Sequence, residues 1–139
     1  MGENQLLVDT DVLIAYLNHR AYRSYLESAK YRVYYSALTK KELLAKRGLK
    51  TSERQAILTL LKRFRLIRID RRVTDEYSRL RSRYPSLAKG DALISASALA
   101  RTLPLLTQNL RHFRVIQGLV LLPIELGRPG RRDFSNAST

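Results

Sequence analysis

The chain is 139 residues long, has no cysteine and two histidines, and sets 26 Lys and Arg against 12 Asp and Glu, a formal net charge of +14. That length suits one compact domain. The missing thiols exclude disulfides, thiolate metal sites and cysteine nucleophiles, and His19 and His112 alone cannot build a histidine-rich metal centre. So much positive charge attracts polyanions by counterion release, which puts nucleic acid first among partners and an acidic protein second. An arginine-rich solvated surface is the plainer reading. No apolar run has membrane-spanning length and residues 1–6 do not read as a leader, so a cytoplasmic location is expected.

In chain order, Leu6-Leu7-Val8 reads as a buried strand ending at Asp9, followed by helical segments over 12–17 and 22–29. Val33-Tyr34-Tyr35 is a second strand, and 38–46 is a helix stopped by Gly48. Ser52-Glu53-Arg54-Gln55 has capping-box spacing and should open a helix with Ile57, Leu58, Leu60, Leu61 and Phe64 on one face. That face could enter the core or contribute to a dimer contact.

Residues 66–69 set Leu66 and Arg68 on one face against Ile67 and Ile69 on the other, as expected of a third strand near the edge of a sheet. A basic helix over 73–84 ends before Pro85. The helix over 91–101 is apolar nearly all round and should be buried, and Leu105-Leu106 and residues 119–122 complete five strands. Strands separated by helices imply parallel pairing with helices on both faces, so any ligand should bind beyond the carboxyl ends of the strands.

Placed on this map, Asp9 ends the first strand and Asp11 follows it. Glu42 lies one turn into the helix after the second strand, and Asp91 opens the buried helix. Several of these acids fall near one sheet edge. Carboxylates brought together repel, and a hard oxygen-ligating cation such as Mg²⁺ or Mn²⁺ relieves them. Bound to phosphate and water, such a cation supports phosphodiester hydrolysis, which would account for an acidic pocket in a basic protein. Each acid also has a plainer reading: Thr39-Lys40-Lys41-Glu42 is a capping box, Asp91 could cap its helix, and Asp9 could serve a turn.

Four stretches carry a family resemblance. Leu7-Val8-Asp9-Thr10-Asp11-Val12-Leu13-Ile14, Ser36-Ala37-Leu38-Thr39-Lys40-Lys41-Glu42-Leu43, Gly90-Asp91-Ala92-Leu93-Ile94-Ser95-Ala96-Ser97-Ala98 and Leu106-Thr107-Gln108-Asn109-Leu110-Arg111-His112-Phe113 occur in family order. Together they resemble the signatures of PIN-domain ribonucleases, nearest in pattern to the VapC-type toxins, over residues 5–124. The resemblance implies an α/β fold, a three-layer α/β/α sandwich with a five-stranded parallel sheet. A nuclease domain is accordingly expected over 1–127, and the composition of 128–139 (Gly, Arg, Ser, Asn) reads as a flexible tail. The implied activity is divalent-metal-dependent RNA hydrolysis with Mg²⁺ or Mn²⁺ as cofactor. The implied partners are an RNA substrate, an acidic antitoxin and a second copy in a homodimer.

By motif position, Asp9, Glu42 and Asp91 are the implied metal ligands. Asn109 joins them in the implied catalytic set, at a position often occupied by Asp in the family. Thr10, Asp11 and Thr107 are the implied supporting residues beside them.

A catalytically weak or inactive RNA-binding protein on the same scaffold is the alternative, favoured by the loss of the fourth acid. Asp9-Thr10-Asp11-Val12 is also similar to the nucleophile motif of haloacid-dehalogenase-type phosphatases, but Asp91 has no neighbouring acid to supply their late acidic pair. His112 beside the fourth stretch invites a general-base reading, although a lone histidine near Phe113 is more often a packing or surface residue. The arginines from Arg63 to Arg72 and from Arg79 to Arg83 could grip phosphate or be merely solvated. The eight tyrosines could stack on bases or pack in the core.

Overall fold

Leu6, Leu7 and Val8 are all fully buried in β1 (Asn4–Val8), and a strand apolar on both faces needs cover on both. A computed structural model, describing residues 4–123, provides that cover. The expected tail at 128–139 and the ends of the expected domain, 1–3 and 124–127, lie outside the described residues.

From β1, α1 (Thr10–His19) and α2 (Arg23–Leu26) lead to β2 (Tyr31–Ser36). Next, α3 (Ala37–Leu44) and α4 (Thr51–Leu61) lead to β3 (Arg65–Ile67). The chain then runs through α5 (Arg71–Arg83) and α6 (Lys89–Arg101) to β4 (Leu105–Leu106), and through α7 (Leu110–Phe113) to β5 (Leu121–Leu122). The five strands form one parallel sheet in the order β3-β2-β1-β4-β5.

Because β1 has β2 on one side and β4 on the other, its carboxyl end is the point where the strand order reverses. Adjacent connections diverge there and leave a crevice. Asp9 is the first residue beyond that end.

The two faces follow from the two-residue period of a strand. Leu6 and Val8 pack with Val12, Leu13, Leu26, Leu43, Ile57, Leu60 and Leu61, residues of α1 to α4. Leu7 points the other way, against Val73, Leu80, Ala92, Ala96 and Phe113 of α5, α6 and α7. In β4, Leu105 and Leu106 divide between the faces in the same manner. The molecule is therefore the three-layer α/β/α sandwich expected. On α6 the buried positions are Ala92, Ile94, Ser95, Ala96, Ser97, Ala98 and Ala100, so small side chains let this helix pack closely on most of its circumference.

β3 lies at the sheet edge, as its alternation predicts, and ends at Ile67 rather than Ile69. Of the two readings of the α4 face, the core takes Ile57, Leu60 and Leu61. The start of α4 departs from expectation. Its N-cap is Lys50, and Glu53 reaches back to accept from the Lys50 N–H at 2.9 Å, so Ser52 is not the cap. This is half a capping box, since an ammonium cannot accept a hydrogen bond in return.

Several arginines that could either grip phosphate or be merely solvated have structural partners instead. Arg72 Nη2 donates to the Ala100 carbonyl at 2.8 Å and Arg81 donates to the Leu87 carbonyl, so two residues of α5 strap the segments at either end of α6. Arg79 pairs with Glu76, and Arg83 donates to Gln117 at 2.9 Å.

Candidate active site

Parallel pairing ends β1, β2 and β4 at one edge of the sheet, and each hands the chain to a segment bearing a polar side chain. Asp9 caps α1: its Oδ1 accepts from Thr10 N at 2.8 Å. Its Oδ2 accepts from Thr107 Oγ1, also at 2.8 Å, just beyond the end of β4. Thr107 is fully buried and Asp9 only 9% exposed. The same Thr107 oxygen accepts from Asn109 N at 3.0 Å, so one hydroxyl orients the carboxylate and the following turn together.

Asp9 thus caps a helix, where its plainer reading was a turn role, and lies in the crevice as well. The plainer readings of the other two acids fail. The cap of α3 is Ser36, whose Oγ accepts from Thr39 N at 3.1 Å, which puts Glu42 inside the helix. The cap of α6 is Ala88, with no side-chain capping bond, which puts Asp91 within the first turn.

Glu42 Oε1 accepts from Thr10 Oγ1 at 2.7 Å, and that hydroxyl lies 2.9 Å from Thr39 Oγ1. Thr10 has one proton and gives it to Glu42, so Thr39 must donate to Thr10. Ser36 Oγ in turn donates to Thr39 Oγ1 at 3.4 Å. A line of hydroxyls from Ser36 through Thr39 and Thr10 therefore ends on Glu42, with Ser36 and Thr39 fully buried. The two buried members are positioning residues: Ser36 had no role from sequence, and Thr39, the helix cap in the plainer reading of this stretch, yields that place to Ser36. Their Ser-x-x-Thr spacing before Glu42 was the available signal.

On the opposite wall, Asp11 Oδ2 accepts from Asn109 Nδ2 at 2.9 Å, and Oδ1 lies 3.5 Å from Gln108 N. Asn109 is thus occupied in holding Asp11. His112 Nδ1 is 3.5 Å from Asp91 Oδ2, with its side chain mostly exposed.

Asp9, Thr10, Asp11, Glu42, Asp91 and Asn109 all line one open cleft of about 540 Å³, together with Leu38, Ile94 and Lys46. Thr107 reaches it through Asp9. Burial raises the Asp9 pKa most, and the charges of Asp91 and Glu42 add to it, against the lowering by its Thr107 and Thr10 hydrogen bonds. Asp11 is pushed up to about 7, first by burial and then by Asp9.

These carboxylates feel one another's charge. Among the described residues, however, no three acid or imidazole groups are gathered closely enough to form a finished metal cluster. The acids line the walls of an open cleft and do not close into a cage. Their chemistry fits a hard divalent cation: the donors are carboxylate oxygens, Asp9 and Asp11 are partly desolvated, and a positive ion would offset the repulsion among them.

The family model of the PIN domain matches residues 6–119. Ribonuclease VapC10 of Mycobacterium tuberculosis is 36% identical over 121 residues, spanning 82% of this chain and 90% of that protein. A toxin-antitoxin complex from Klebsiella pneumoniae contains a chain 27% identical with a TM-score of 0.67, the match covering 83% of this chain and 95% of that one. The DNA-bound VapBC of Salmonella typhimurium has the same fold, with 21% identity, a TM-score of 0.74 and coverage of 86% and 97%.

Proposed function

The chain belongs to the PIN-domain family, and from that premise we propose that it is a divalent-metal-dependent ribonuclease, the toxin of a toxin–antitoxin pair. The observation that carries this reading is the meeting of Asp9, Asp11, Glu42 and Asp91 on the walls of one cleft at the strand-order reversal of a protein with net charge +14. The 36% identity to a ribonuclease over most of both chains supports the same substrate class.

In this reading Asp9, Glu42 and Asp91 hold the cation, which is Mg²⁺ or Mn²⁺ by the hardness of its ligands. When bound, such an ion supplies Lewis-acid stabilisation of charge on the phosphodiester and a nucleophilic water at neutral pH. The protein supplies orientation. Thr107 and the Thr10 N–H fix both oxygens of Asp9, and the Ser36–Thr39–Thr10 hydroxyls fix Glu42. Asn109 fixes Asp11, which keeps a fourth carboxylate beside the site where the family often has an acid at position 109.

An apolar groove of about 330 Å³ lined by Ile14, Leu17, Leu43, Leu49 and Ile57 shares Ile14, Glu42 and Lys46 with the acid cleft. An antitoxin segment lying there would cover the cleft. The toxin–antitoxin structure from Klebsiella pneumoniae supports a partner of this kind.

Cleavage of a structured RNA by purified protein in Mg²⁺ or Mn²⁺, abolished by EDTA while the RNA remains bound, is the expected result. Asn109 favours an inactive RNA-binding scaffold, and retention of RNA without cleavage in either metal would establish that reading instead.

A further inference from the structure

The opposite edge of the sheet carries a second polar feature. At the amino ends of β2 and β3, Ser28, Tyr31, Arg32, Arg63, Phe64 and Arg65 line an open cleft of about 450 Å³. Arg63 and Arg65 are exposed, and neither has an ion-pair partner among the described residues. The Arg63 guanidinium lies 6.0 Å from the centroid of the Phe64 ring, which orders it at the rim.

Glu27, the one carboxylate in the lining, accepts from Tyr16 at 2.5 Å and pairs with Arg20, so its charge is already engaged. Tyr31 lines the cleft and forms a tilted pair with Tyr25, their centroids 5.2 Å apart. Guanidinium groups that can fork onto phosphate, with aromatic faces beside them, are the ingredients of a single-strand or loop RNA contact. An engaged arginine such as Arg72 or Arg81 has no such freedom.

We propose that this cleft is an RNA-binding exosite, in which Arg63 and Arg65 hold backbone phosphates of a folded substrate while its cleaved strand lies in the acid cleft. The two clefts are separated by the length of a six-residue strand, roughly 20 Å at about 3.3 Å per residue. That is too far for the two nucleotides sharing the cut bond and within the span of a folded RNA. The exosite would favour structured RNA over short fragments. It rests on the ribonuclease reading above for the identity of its polyanion.

The test is R63A/R65A in the full chain, with binding to a stem-loop RNA and to a short single-stranded oligonucleotide measured in EDTA across a salt series. Both residues are on the surface, and circular dichroism checks the fold. The loss of two phosphate contacts should reduce the slope of log affinity against log salt by about 2 for the stem-loop. Affinity for the short strand, which can engage only one cleft at a time, should fall less than that for the stem-loop, and R63K/R65K should keep the wild-type slope.

An unchanged slope for R63A/R65A overturns the exosite, as does an equal loss for both RNAs. Intact RNA binding with lost binding of polyglutamate would assign the surface to an acidic protein instead. Wild-type protein that retains no RNA at all would defeat the ribonuclease reading and the exosite together.

Discussion

Replacing Asp11 by Asn should stabilise the metal-free protein. Asp11 has its pKa pushed from an ordinary 3.8 up to about 7, chiefly by burial and the neighbouring Asp9. A carboxyl with a raised folded-state pKa binds its proton more tightly folded than unfolded. Its contribution to stability is therefore complete below about pH 4 and is lost as pH rises toward about 7.

At about 1.4 kcal/mol per pH unit, that displacement corresponds to a ceiling of about 4 kcal/mol. Asp11 is only part-buried, so screening by water reduces the figure to about 2 kcal/mol. Asn at position 11 keeps an oxygen for Asn109 Nδ2 and gives up the long 3.5 Å contact from Gln108 N, while one oxygen also serves the Val12 N–H. In EDTA at pH 8, D11N should therefore melt about 5–10 °C above wild type. The gap should close as pH is lowered toward 4, and saturating Mn²⁺ should narrow it at pH 8 by neutralising the wild-type carboxylates. Thermal denaturation over pH 4–8 reads all three effects. A variant no more stable than wild type at pH 8, or a gap independent of pH, would refute the argument that uncompensated charge strains this cleft.

Thr107→Val removes the buried hydroxyl that donates to Asp9. It should cost about 1–3 kcal/mol in denaturant unfolding, because a buried carboxyl group loses its donor. Asn109→Asp places a second carboxylate against Asp11, so it should tighten Mn²⁺ binding while lowering the stability of the metal-free protein. Unchanged or weaker Mn²⁺ affinity would remove residue 109 from the site. Arg72→Ala should cost about 1 kcal/mol by freeing the Ala100 carbonyl and leave RNA affinity as in wild type, since this arginine is a strap and not a phosphate contact.

The layered fold was legible because burial writes itself into the pattern. Leu6-Leu7-Val8 is apolar without alternation, as a strand covered on both faces must be, and the alanine-rich 91–101 segment demands a close-packed helix. Helix starts were less legible because the cap depends on where the preceding strand stops. Ser36 and Thr39 both precede Glu42 at plausible spacing, and the pairing of Tyr35 with Leu66 and Ser36 with Ile67 carries β2 as far as Ser36, which then becomes the cap. Lys50 could not be recognised as a cap, since lysine has no acceptor to offer. Asp70 caps α5 by accepting from Val73 N at 3.0 Å, so the helix begins at Arg71 and not at Val73.

Within the site, sequence order placed Asp9, Glu42 and Asp91 at one edge. The Asp11–Asn109 bond joins residues 98 positions apart and has no local signature. The split among the arginines was equally hidden, because whether a guanidinium straps a helix or faces solvent depends on which carbonyls lie within its reach.

Titration of Mn²⁺ into the metal-free wild type and D9N, followed by calorimetry, addresses the central claim without relying on turnover. Saturable binding in the wild type that largely vanishes in D9N, with both proteins equally folded, is the predicted result. Equal affinity in the two would mean that any bound ion is held elsewhere, and the assignment of Asp9, Glu42 and Asp91 as its ligands would be wrong.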